Sequence, residues 1–139
     1  MTHSTRAERV PISFGEEVPA ASTERIRHEV EHDATIEKVG IRIYRGAELD
    51  VRVRVEVHKQ WGNEYSAIEQ EGKGFIDGDD DRYLFSLAEP VEEGDEVVIE
   101  VENRDGSNAY DARVNVELDR FGGVERVERA IESRLREVL

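Results

Sequence analysis

From Leu49 to His58 the chain alternates without a slip, with Leu49, Val51, Val53, Val55 and Val57 set against Asp50, Arg52, Arg54, Glu56 and His58. A period of two residues fits an extended strand with one face buried, because successive side chains of a strand point to opposite faces. The pattern returns where Ala112, Val114, Val116 and Leu118 alternate with Arg113, Asn115, Glu117 and Asp119. Val97, Val98, Ile99 and Val101 make a further β-rich run, and Ile36 to Tyr44 and Tyr83 to Leu87 add two more. Val10-Pro11-Ile12-Ser13-Phe14 reads as an edge strand, where the missing proline N–H is tolerated. Turn signals at Arg45-Gly46, Asp77-Gly78, Glu93-Gly94-Asp95 and Asp105-Gly106-Ser107 separate these segments, with no helical period between them. Six or more strands so joined predict an antiparallel sandwich or barrel.

Two segments depart from this pattern. Lys59 to Gly74 carries Trp61, Tyr65 and Ile68 among Gly, Asn and Glu, and reads as a long loop with a partly anchored aromatic. After Gly122-Gly123, the residues Val124, Val127, Ile131, Leu135 and Val138 step by three or four, which predicts an amphipathic helix with one apolar stripe. Glu125 with Arg129 and Glu132 with Arg136 supply favourable four-apart pairs on it. The expected division is an N-terminal arm over 1–22, a β-sandwich domain over 23–121 and a C-terminal helix over 122–139. The apolar stripe must be covered by the sandwich itself or by a neighbouring subunit, so Val124, Val127, Ile131, Leu135 and Val138 are the candidate assembly interface.

The closing strands carry a resemblance. Leu84-Phe85-Ser86-Leu87, then Pro90 to Asn103 with the Gly94-Asp95 turn opening a strand, then Ala112 to Leu118, resemble the last strands of jelly-roll and immunoglobulin-like sandwiches. They are also similar to cupredoxin patterns, but no Cys-His-Met copper set accompanies them. The resemblance implies architecture and not activity: a mainly β fold, an antiparallel sandwich of jelly-roll or immunoglobulin-like type, with the arm and helix appended.

Charge narrows the partners. The 139 residues hold 33 Asp and Glu against 19 Lys and Arg, a formal net charge of −14, and the only lysines are Lys38, Lys59 and Lys73. Residues 1–30 carry four Arg against five Glu and the terminal stretch from Val124 four of each, so −13 falls on 31–123. Such an excess repels itself at ordinary ionic strength and is screened in molar salt, where the Debye length falls to about 3 Å. Nucleic acid is not an expected partner, because counterion release needs clustered basic residues. With no cysteine there is no disulfide and no thiolate metal site. No run approaches a membrane span, and Met1 to Arg9 has no apolar core of signal-peptide length, so conventional export is not expected. No Asn has Ser or Thr two places on, so no N-glycosylation sequon is present.

Three constellations bear on chemistry. His28-Glu29-Val30-Glu31-His32 satisfies H-E-x-x-H, the zinc-peptidase pattern in which one helical turn brings both histidines to the metal. The flanking residues alternate as a strand, however, and histidines four apart on a strand lie roughly 13 Å from each other. Thr35 and Lys38 stand where a metzincin has Gly and His. No catalytic residue is assigned, and a peptidase remains the remote alternative. Asp77, Asp79 and Asp81 in an acidic turn are weak candidates for a hard cation, lacking the register and terminal Glu of the calcium loop, and a solvated turn is the expected reading. Trp61 and Tyr65 are candidates for stacking on a sugar, or else close the end of the core. No cofactor is expected.

The acidic, lysine-poor composition resembles that of proteins from salt-loving archaea and their viruses. A compact acidic sandwich with a polar arm and an amphipathic helix resembles a small virion component of a tailed virus of halophilic archaea, such as a capsid decoration, turret or tail subunit. That resemblance implies a non-enzymatic structural protein, a homo-oligomer in contact with other proteins of its assembly, located in the virion. A carbohydrate- or ligand-binding β-sandwich module is the alternative, with the cytoplasm of a halophilic archaeon as the alternative location.

Overall fold

The computed structural model describes residues 8–120, and the expected helix over 122–139, its apolar stripe and residues 1–7 of the arm lie outside them. The described residues form eight strands: β1 (Glu8–Val18), β2 (Ser22–Glu29), β3 (Ala34–Ile43), β4 (Val51–His58), β5 (Glu64–Ser66), β6 (Asp81–Val91), β7 (Glu96–Asn103) and β8 (Tyr110–Arg120). They make two four-stranded sheets, sheet A in the order β1-β8-β3-β6 and sheet B in the order β2-β7-β4-β5, with every neighbour antiparallel. The chain is a β-sandwich. Residues 8–18 of the segment read as an arm form β1, an edge strand of sheet A along all of β8.

The core follows from the alternation. Val51, Val53, Val55 and Val57 of β4 face Val97, Ile99 and Val101 of β7 across their register, and all are wholly buried. Ile12, Phe14, Ile36, Val39, Ile41, Ile43, Val114 and Val116 line the inner face of sheet A. The step from Ile36 to Val39 breaks the period of two, and the ladder absorbs the break with a β-bulge at Glu37. Without the extra residue one half of β3 would turn its Ile and Val side chains to water.

Two buried polar side chains fasten the loops. Asp95, wholly buried, accepts hydrogen bonds from the Lys59 ammonium at 2.8 Å, the Glu92 N–H at 2.8 Å and the Gln60 N–H at 3.3 Å, joining the exit of β4 to the turn before β7. That turn needs Gly94, which has φ of +95° and whose missing Cβ leaves room for the Gln60 amide. Asn103 donates to the carbonyls of Val18, Pro19 and Asn108 and accepts from the Asp105 N–H, tying the β1–β2 turn to the β7–β8 loop.

Candidate functional site

The outer face of sheet B is a charge lattice. Arg25 pairs with Glu100 at 3.3 Å, Arg27 with Glu96 at 3.6 Å and Arg54 with Glu102 at 3.6 Å, and His58 Nε2 lies 3.0 Å from the Glu56 carboxylate. Val98 points to this same face yet is wholly buried, because its cross-strand neighbours Arg27 and Glu56 lay their aliphatic stems beside it.

Sheet A ends differently. Among the described residues β6 pairs only with β3, so the other edge of its eleven residues is open. Tyr83 to Ala88 is a six-residue run without a charge in a chain that is 37% charged. On the outer side Leu84 is 72% exposed, since its partner across the ladder is Gly40, which has no side chain to cover it. On the inner side Tyr83, Phe85 and Leu87 are only half-buried. The facing edge strand, β5, has just three residues, and β6 overhangs it. The Tyr83 and Phe85 rings stack with centroids 6.4 Å apart. The three other edges are guarded: Pro11 interrupts β1, charges alternate along β2, and β5 is short.

The residues singled out from sequence separate into different surroundings. Trp61 is 64% exposed in the β4–β5 loop, with the Lys59 ammonium 5.4 Å from its ring centre. Tyr65 lies in β5, where its hydroxyl donates to the Glu89 carboxylate of β6 and links the two sheets. Burial first, and then the Glu89 carboxylate, push the Tyr65 phenol well above its ordinary value. The two aromatics therefore have different work, and neither lines the two clefts described next.

The acidic turn does not converge. Asp79 accepts from the Gly46 N–H at 2.7 Å, Asp81 accepts from the Asp79 N–H at 2.8 Å, and Asp77 lies 3.7 Å from the Lys73 ammonium. Asp80, which the metal reading left out, takes the Arg42 guanidinium at 2.6 Å, and that hydrogen bond holds its carboxyl below the usual range. Among the described residues no three His, Asp or Glu side chains are placed to hold a metal ion.

His28 is on β2 and turns inward from it, while Glu29 faces out. The strand ends at Glu29 and the chain curls back, so His28 and His32 both line one cleft of about 200 Å³ with Val10, Val30, Glu31, Ala34, Leu118 and Arg120. Both histidines thus border one cleft although they are four residues apart at the end of a strand. Glu29, which the peptidase chemistry needs, is not in the wall. A second cleft, of about 250 Å³, is lined by Gly15, Glu16, Tyr44, Asp111, Ala112 and Arg113. No helix of the described residues is long and apolar enough to cross a membrane.

No protein-family model matches the chain, and no curated protein does. Among solved structures, the VP2 subviral particle of infectious bursal disease virus is similar at a TM-score of 0.49 and 11% identity, over 86% of this chain and 34% of that one. The chain thus spans about a third of that protein's length. PliG of Aeromonas hydrophila, a periplasmic inhibitor of g-type lysozyme, is similar at a TM-score of 0.35 and 14% identity over 82% and 87% of the two chains. The Yersinia pseudotuberculosis-derived mitogen gives 0.38 and 7% over 71% and 86%. At these identities and TM-scores the likenesses carry no argument about activity or partners.

Proposed function

We propose that this chain is a non-enzymatic structural protein, a β-sandwich subunit that assembles with copies of itself. Within that class we assign it to the virion of a virus of halophilic archaea, as a capsid decoration, turret or tail subunit. The observation that carries the assembly reading is the open edge of β6, eleven residues long, uncharged from Tyr83 to Ala88 and bearing the exposed Leu84. Soluble monomers block such edges, since an unpaired row of N–H and C=O groups beside apolar side chains recruits another strand. The strand order supports the architecture: β1-β8-β3-β6 over β2-β7-β4-β5 is the winding of a jelly roll, a fold used by viral capsid and lectin domains. The acidic composition supports the saline setting.

Sedimentation in molar salt tests the reading. The native chain is expected as an oligomer, and Leu84→Glu as a monomer that melts where the dissociated native chain does, because a mostly exposed surface position alters stability by about 0.5 kcal/mol or less. A native chain that sediments as a monomer at every concentration overturns it. The exposed Trp61 ring beside Lys59 favours carbohydrate binding as the second reading.

A further inference from the structure

Strand β5 covers only the end of β4, opposite Glu56 to His58. The edge it leaves bare at Val53 is taken by Ile76, which exchanges two backbone hydrogen bonds of 2.8 Å with that residue. Ile76 is wholly buried in the core, so the alternation of side chains turns its neighbour Phe75 to the outer face of sheet B. Three cations gather on this one ring: Arg52 at 4.3 Å from its centre, Lys73 at 5.0 Å and Arg54 at 5.3 Å.

One cation–π contact is enough to anchor the loop, and three like charges around one ring repel each other. Arg54 is balanced by Glu102 at 3.6 Å and Lys73 by Asp77 at 3.7 Å. Arg52 has no carboxylate within ion-pair distance among the described residues, and its Nε–H is buried with no acceptor. A buried donor without a partner costs free energy that a suitable acceptor recovers, and a guanidinium is shaped for the paired oxygens of an oxyanion.

We propose that Arg52, Arg54 and Lys73, set around Phe75, form a binding site for an oxyanion, a carboxylate or sulfate group, with the Arg52 guanidinium at its centre. The group arrives either as a free inorganic ion or on an acidic saccharide, for which the Phe75 ring supplies an apolar wall. The site is on the outer face of the sheet opposite β6, and it stands whether or not the chain assembles.

The arginine Nε–H signals of the full chain, followed by NMR at constant ionic strength, test this. Sodium sulfate, sodium glucuronate and neutral glucose are titrated separately. A saturable shift of the Arg52 signal is expected with both anions and none with glucose, while Arg113 on sheet A serves as the reference. Tighter binding of glucuronate than of sulfate identifies the saccharide-borne source, and equal binding the free ion. Arg52→Gln is expected to weaken binding about tenfold or more, the value of a lost charge-assisted hydrogen bond. Lys73→Gln, at a half-exposed loop position, gives a second and smaller loss that does not depend on the sheet tolerating the first change. An Arg52 signal that stays still, or moves only in step with Arg113, overturns the proposal.

Discussion

The outer face of sheet B and the open edge of sheet A expose apolar residues to the same solvent and treat them in opposite ways. On sheet B, Val98 points outward and is wholly buried beside Arg27 and Glu56. On sheet A, Leu84 points outward and is 72% exposed across from Gly40. The difference does not come from hydrophobicity but from the length of the neighbours: Arg and Glu stems make a roof, and glycine cannot. A face closed by its own side chains needs no partner, whereas a strand edge left open with leucine and aromatics beside it is the place where a partner strand can add.

The contrast breaks most visibly at Asp95. Asp95→Ala leaves the Lys59 ammonium without its partner in a site that excludes water, and is expected to cost about 3–5 kcal/mol in urea unfolding. The loss detaches the β4 exit from the β6–β7 turn and loosens both regions together. A cost below about 1 kcal/mol means that water reaches Lys59 and that this corner is not a fastening.

Val98→Ala sharpens the comparison. Deleting two methyl groups under the lattice is expected to cost about 2 kcal/mol, while Leu84→Ala on the open edge should leave the melt of the dissociated chain where it was. Equal small effects at the two positions would show that the roof over Val98 opens freely.

The smallest effect is electrostatic and concerns two tyrosines, Tyr65, which bridges the sheets, and Tyr110, which opens β8. Asp105 accepts hydrogen bonds from the Tyr110 hydroxyl at 2.6 Å, the Asn108 amide and the Ser107 N–H, and these hold its carboxyl well below the usual range. The same contact with Asp105 pushes the Tyr110 phenol up to about 12. The folded value exceeds the unfolded one of about 10, so the stabilisation is complete below pH ~10 and is lost as pH rises toward 12. Ultraviolet titration should therefore show a late-ionising class of tyrosines, reduced by one in Tyr110→Phe and by another in Tyr65→Phe. Loss of the late class only on unfolding, with neither variant changing it, would remove both contacts.

Much of the fold was legible because alternation is a local property. Val51 to His58 and Ala112 to Asp119 marked β4 and β8 directly, and the alternation around His28 placed it on a strand rather than a helix. Leu49, which the same alternation set on the buried face, instead lies in the turn before β4 with φ of +72° and is 57% exposed. What failed to show depends on neighbours distant in the chain. β5 is three residues long and pairs only with the end of β4, so no period could announce it. The bulge was visible as the odd step from Ile36 to Val39, but that step means nothing until its partner strands are known. Asp95 is one of 33 acids, and its burial follows from Lys59 folding back across 36 residues. Leu84 reads as core by composition and is exposed because Gly40 faces it. The charge-free run from Tyr83 to Ala88 was the available signal for the β6 edge, once set against so charged a chain.

The order of strands also sets when the protein can fold. β1 and β3 both pair with β8 and not with each other, and β2 and β4 both pair with β7. Each sheet is thus joined through a strand near the end of the described chain, so a growing polypeptide has the outer strands long before the strand that unites them. Neither sheet closes until β7 and β8 have left the ribosome. Nearly all the ladder then forms between residues far apart in sequence, the condition that makes folding slow and cooperative. During that interval β1 waits unpaired, and the acidic excess that burdens the finished molecule keeps the waiting chains apart.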